Sequence, residues 1–230
     1  MTRIYLFIML GLLSALPTFA QKQDKTSWTV RYGIEAGVNG FNANTLNLSD
    51  HRGRLGAELG GKVEIFRSSR PSHSYMSAGI KLLLLRSKEL FGGTQDMEGN
   101  FIPYRNKEDA YYLHIPIHGG YKWKLWNTGS LFVEAGPYMA IGLGGHSKTA
   151  HATFIYDDAG EEVIDVVPAT TKDKTFDDRR RFEMGIGAKL GMEVFRHWQA
   201  GISYEYALTK MRKHGNDHNA NFTIFAAFMF

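Results

Sequence analysis

The stretch NFTIFAAFMF, residues 221–230, decides the fold. Read in alternation, Phe222, Ile224, Ala226, Phe228 and Phe230 fall on one face, and Asn221, Thr223, Phe225, Ala227 and Met229 on the other. A period of two is the mark of a β-strand with two unlike faces. Five apolar side chains in one row, closing on aromatics, need apolar surroundings. The rest of the chain says which surroundings those are.

Seven more stretches upstream repeat the pattern, so that eight strands are expected over 28–39, 55–66, 75–87, 111–123, 131–144, 181–194, 198–208 and 221–230. Each holds about 10 residues or more, enough for a tilted strand to cross the apolar layer of a bilayer. Connections alternate in size. Long ones are expected at 40–54, 88–110, 145–180 and 209–220, and short ones at RSSRPSHS, KLWNTGS and FRH. That alternation describes an up-and-down antiparallel transmembrane β-barrel with long extracellular loops and short periplasmic turns. ATFIYDDAGEEVIDV, inside the longest connection, reads as two short strands around a turn, and QDMEGNFIPY is expected to extend beyond the membrane in the same way.

Eight long strands also fit a soluble ligand-binding barrel, so the faces must decide. One side carries uninterrupted apolar rows, such as Val30, Tyr32, Ile34, Ala36 and Val38 in the first strand. The opposite faces carry Arg31, Glu35, Glu58, Lys62, Glu64, Lys81, Lys122, Glu134, Arg181, Glu183, Lys189, Glu193 and Glu205, with twelve glycines among them. Small residues suit the crowded inside of a narrow barrel. The charged face is therefore the concave one and the apolar face meets lipid. Six positive and seven negative interior charges are expected to pair with one another, since an unpaired charge there is costly.

Tryptophan supports the same orientation. Trp28, Trp123, Trp126 and Trp198 all fall near the short-turn end, where an interfacial aromatic girdle is expected. Phe228 and Phe230 are the expected recognition signal for the barrel-assembly machinery.

Residues 1–20 read as a secretory signal peptide, with Arg3 as its positive start, an apolar run over 4–16 and cleavage after Ala20; residues 21–230 are the barrel domain. The chain has no cysteine, hence neither disulfides nor a lipid-bearing N-terminal Cys. Removing Arg3 leaves 26 Lys+Arg against 23 Asp+Glu, a scattered excess that resembles no nucleic-acid footprint.

Candidate chemistry is sparse. His114 and His118 share a strand face but stand about 13 Å apart, too far for one metal ion. His51, His146, His151, His214 and His218 fall in outer loops, HGNDH has no ligand spacing, and DDAGEE lacks that of a calcium loop. A rim pair of Ser147 with His146 or His151 can be drawn, as in many polar loops. No catalytic, metal or cofactor residue is expected. The reading is a non-enzymatic outer-membrane protein, structural, adhesive or accessory to an envelope or secretion complex, meeting its partner through loops 88–110 and 145–180. A narrow channel and an envelope enzyme are the alternatives.

Several pieces resemble the PorT-like outer-membrane β-barrel family of Bacteroidetes. RYGIEAGVNGF is similar to its first strand, Tyr112, Leu113, Ile115 and Pro116 match its fourth, and Gly136, Pro137 and Tyr138 match its Gly-Pro-Tyr strand. RFEMGIGAKLGMEV and YEYAL resemble its sixth and seventh strands, and His114 stands where an acidic residue is common. The resemblance implies fold and an outer-membrane location. A bulge is expected at each of Pro116 and Pro137, because proline removes a ladder donor.

Overall fold

The computed structural model describes residues 28–42, 51–67, 72–156, 163–177, 179–213 and 216–230. The signal peptide, the acidic tip at 157–162, His214 and part of the RSSRPSHS turn lie outside the described residues.

Nine strands form in chain order: β1 Trp28–Asn42, β2 His51–Arg67, β3 His73–Gln95, β4 Phe101–Trp126, β5 Gly129–Tyr156, β6 Val163–Lys174, β7 Phe182–Val194, β8 Trp198–Lys210 and β9 His218–Met229. Every pairing is antiparallel. Eight of the strands close a ring in the order β1-β2-β3-β4-β5-β7-β8-β9, and β9 pairs back onto β1 from Gly33↔Met229 to Asn42↔Ala220. The ninth, β6, pairs with the far half of β5 only, from His146↔Lys174 to Tyr156↔Val163.

At one end the connections are tight: Asn127–Thr128 joins β4 to β5, and residues 195–197 join β7 to β8. At the other end the strands overshoot the ring. β3, β4 and β5 run for 23, 26 and 28 residues, more than twice the length that crosses an apolar layer. There β3-β4-β5-β6 stand as a four-stranded sheet. Connection 88–110 is a strand hairpin with a tight tip at 96–100, so the hairpin expected at QDMEGNFIPY takes in the whole connection. The alternation stops where lipid stops, yet ladder hydrogen bonds carry the strands on.

The two prolines correct another expectation. Register is unchanged across Pro116, from Ala78↔Ile117 to Lys81↔His114, and across Pro137, which pairs with Ile186. No bulge is needed, because the proline at 116 interrupts the ladder only locally and its ring sits over Gly79, where a Cβ would lie 3.6 Å away. The bulges fall elsewhere, one of them between Tyr111 and Tyr112 where β4 meets β5.

The outward rows are apolar and exposed, among them Val30, Tyr32, Ile34, Leu59, Ile80, Ile186, Leu190, Ile202 and Ile224. The inward rows are buried and largely polar. This inversion of the soluble pattern fits a barrel whose solvent is lipid.

Candidate functional site: a sealed lumen beneath an outer sheet

The lumen is layered. Nearest the tight turns, Lys122 Nζ lies 2.6 Å from Glu64 and 2.7 Å from Glu193, and Arg31 lies 3.0 Å from Glu193. Gln199 cross-links them, donating to Glu64 at 2.8 Å and Glu193 at 2.7 Å. Lys62 reaches Glu134 at 2.6 Å, and Tyr75 and Ser77 also donate to that carboxylate. One layer on, Glu35 accepts from both Lys81 and Lys189 at 2.6 Å, and Lys81 also reaches Glu58 at 2.9 Å. His114 lies 3.3 Å from Glu205, and His118 lies 3.6 Å from Glu134. A lumen this narrow brings side chains from facing strands within hydrogen-bond range, so each carboxylate can collect several donors.

The aromatic partners of this network were not singled out in the sequence. Tyr75, Phe132, Tyr138 and Phe225 are all buried in the lumen. Each stands directly across the ladder from a glycine: Tyr75↔Gly120, Phe132↔Gly191, Tyr138↔Gly185 and Phe225↔Gly201. At Gly191 a Cβ would come within 2.5 Å of the Phe132 ring. Gly120, Gly185 and Gly191 therefore make room for the rings of Tyr75, Tyr138 and Phe132, whereas a Cβ at Gly201 would meet the backbone of Leu190 and Gly191. Three of the four rings face cations: Lys122 lies 4.8 Å from the centre of Tyr75, Lys62 5.3 Å from that of Phe132 and Lys189 4.8 Å from that of Phe225. The legible signal was parity, which puts Phe132 on the same face as Glu134.

Above the charges the lumen turns apolar. Leu83, Leu85, Ala110, Tyr112, Tyr138, Ala140, Phe176 and Met211 form one buried cluster. Leu83 and Leu85 come from KLLLLR, with Lys81 on the same inward face. Polar links thread this layer: Tyr138 and Asn219 both donate to Glu183, and buried Arg179 bonds Glu108 at 3.2 Å and Asn219 at 3.1 Å. Between the two ionic layers a void of about 10 Å³ remains beside Lys62, Lys189 and Glu134, roughly room for one water molecule.

Arg181 is a correction. It is exposed at the rim, stacked 5.0 Å from the centre of the Phe176 ring and bonded to the Gly142 carbonyl, outside the ion-pair network. Arg181 precedes the first residue of β7, the Phe176 ring lies against Gly142 at its level, and the buried guanidinium there is that of Arg179.

Trp28, Trp123, Trp126 and Trp198 all sit at the tight-turn end and are exposed. Trp126 differs from the others. It is the last residue of β4, its ring lies across Gly129, and it lines a cavity of about 540 Å³ with Arg31, Lys122 and Arg196. Phe228 packs edge-on against Trp198 and Phe230, and the Phe230 N–H donates to the Tyr32 carbonyl at 2.7 Å.

The outer sheet has its own small core of Ile102, Ala152 and Val166, with Tyr104 against it. Around that core Met97, Phe101, Phe154, Ile155 and Tyr156 are exposed. At the β3–β4 tip, Asp96 accepts from the Asn100 amide at 2.7 Å, the Glu98 amide at 3.0 Å and the Asn100 side chain at 3.0 Å. Gly99 supplies the left-handed residue (φ 84°) that the turn requires. The Asn100 side-chain bond, then its backbone bond, hold the Asp96 carboxyl below its ordinary value of 3.8.

Where the sheet meets the ring, a polar cavity of about 520 Å³ opens among Asn106, Glu108, Ser147, Thr149, Asp173 and Arg179. Ser147 does not meet a histidine there. Its hydroxyl donates to Asn106 at 2.9 Å, and neighbouring strand residues such as His146 leave from the opposite face. Among the described residues, no group of three or more His, Asp and Glu gathers to hold a metal ion.

The family model described as "Outer membrane protein beta-barrel domain" matches residues 19–213. Solved structures similar in fold include Neisserial surface protein A, at 9% identity and TM-score 0.40, covering 89% of this chain and 99% of that one. Ail, the attachment invasion locus protein of Yersinia pestis, in complex with the heparin analogue sucrose octasulfate, is 13% identical with TM-score 0.35, covering 87% of this chain and 97% of that one. The translocator domain of the autotransporter NalP from Neisseria meningitidis is 11% identical with TM-score 0.22, covering 100% and 97%. No curated protein matches the chain.

Proposed function

We propose that this chain, which belongs to the outer membrane protein β-barrel domain family, is a non-enzymatic surface protein that presents the β3–β6 sheet outside the cell. One observation carries the reading: the lumen is filled by paired charges under an apolar cluster, while β3, β4 and β5 continue past the ring and, joined by β6, expose apolar side chains. A filled lumen is a structural core, which moves the working surface to the sheet. Its partner is a protein at the cell surface or within an envelope complex, meeting 88–110 and 145–180.

Residues 1–20 act as the cleaved export signal in this reading, and Phe228 and Phe230 as the assembly signal, beside an interfacial girdle of tryptophans. The pieces around Pro116 and Pro137 support a place in the PorT-like branch.

The test displays the chain in an outer-membrane host and compares partner capture with that of Phe154→Ser/Tyr156→Ser, two exposed positions. Capture should fall while heat-modifiability stays. Stepwise conductance of the purified barrel in planar bilayers would overturn the reading in favour of a channel.

A further inference from the structure

The three consecutive arginines 179–181 divide their work. Arg179 turns inward to Glu108 and Asn219. Arg180 and Arg181 stay at the rim, at the start of β7, beside Lys213 just past the end of β8. Together with Phe176, Phe182 and Thr209 these residues line a cleft of about 430 Å³. Among the described residues no carboxylate lines it. Lys213 bonds the Asp177 carbonyl at 2.6 Å and Arg181 the Gly142 carbonyl at 3.1 Å, so both heads are positioned by backbone oxygens that leave their charge unneutralised. Among the described residues the Arg180 side chain has no ion-pair partner.

What lies below the cleft identifies its occupant. Phe182, Ile186 and Leu190 on β7, with Leu208, Tyr204 and Ile202 on β8, face outward and are exposed, forming a continuous apolar strip. Three cations above an apolar strip suit a molecule with an anionic head and a hydrocarbon tail. Guanidinium groups match the oxygens of phosphate in geometry as well as charge, and lysine adds a point charge.

We propose that this cleft binds the phosphate head group of an acylated lipid of the outer leaflet, with an acyl chain lying along the β7–β8 strip. Arg180, Arg181 and Lys213 hold the phosphate, and Phe182 marks where head group gives way to chain. The proposal rests on the reading that the long-strand end faces outside. It concerns a surface of the barrel itself, separate from the sheet proposed to meet a partner.

The experiment uses the full-length folded barrel in neutral detergent at about 0.15 M salt, where long-range attraction between exposed charges is screened. Binding of dioleoyl phosphatidic acid, followed by native mass spectrometry, is compared with dioleoyl phosphatidylcholine, dioleoylglycerol and sodium phosphate. Phosphatidic acid should bind at least roughly tenfold tighter than either lipid control. The double variant Arg180→Gln/Lys213→Gln, checked for folding by heat-modifiability, should lose roughly that factor, and Lys124→Gln at the opposite end should lose none.

Equal binding of phosphatidic acid and dioleoylglycerol overturns the site, as does unchanged binding in the double variant. Displacement of the lipid by sodium phosphate at similar concentration reduces it to a bare anion site and overturns the lipid assignment. Surface biotinylation of Lys148 and Lys172 in intact cells tests the orientation separately. If they label while the lipid contrast fails, only the lipid site is lost.

Discussion

The two halves of the lumen solve the same problem by opposite means. Near the tight turns, Lys62, Lys122, Glu64, Glu134 and Glu193 fill the space as a cross-linked ionic layer. Near the sheet, Leu83, Leu85, Tyr112, Phe176 and Met211 fill it as hydrocarbon and aromatic rings. The ionic half depends on every partner being present, whereas the apolar half depends on volume. The two halves should therefore fail differently when cut.

Removing one ionic partner is expected to have the largest effect. Glu134→Ala leaves Lys62 facing the lumen without its shortest partner and takes the acceptor from Tyr75 and Ser77. A loss of about 3–5 kcal/mol is expected, read from urea unfolding in lipid vesicles followed on gels. A loss under about 1 kcal/mol would mean that water replaces the carboxylate and the layer is not cross-linked.

In the apolar half, Phe176→Ala should cost about 3 kcal/mol through the lost ring and its cavity. It should also release Arg181, which stacks on that ring. If protease cleavage after Arg180 and Arg181 does not increase, the ring does not order the rim. The glycine–aromatic pairs lie between the two extremes. Gly191→Ala drives a methyl group into Phe132 and should cost about 1–3 kcal/mol, with recovery on adding Phe132→Leu. Failure of the second change to rescue the first would assign the cost to the Ala200 carbonyl, which the same Cβ would approach to 2.7 Å.

The smallest effect lies farthest out. Hydrogen bonds to the ionised form depress the Asp96 pKa, so the tip gains stability above the ordinary 3.8 and loses it as pH falls through the lower folded value. The Asn100 amide resonance should therefore titrate with a midpoint below 3.8. A midpoint at 3.8 or above would mean that the tip bonds do not persist in solution.

Alternation made the eight crossing strands and their inversion legible, because lipid on one side and a lumen on the other keep each row uniform. The two outer hairpins, at 152–166 and 95–104, were legible from their short strands and turns, but not that they are continuous with the crossing strands as one sheet. Water bathes both faces there, and residues such as Asn106, Lys107 and Glu108 alternate nothing although the ladder runs through them. Parity says which side of a strand a side chain leaves from, but not what it meets across the lumen. Parity therefore does not show the rings of Tyr75 and Phe132 as partners of the lumen cations, and it places Arg181 in an interior where Phe176 lies. Proline was overread for a related reason: losing one donor costs less than shifting the register of a whole strand.

The seam between β1 and β9 has a consequence in time. Gly33 pairs with Met229, so residues nearly a whole chain apart must meet before the ring exists. Contacts of that range form slowly, since the chain between them must first be confined. Until β9 arrives, β1 has an open edge on one side, and no partial barrel made from the earlier strands has the same wall. The ring is therefore unfinished until its last strand is in place.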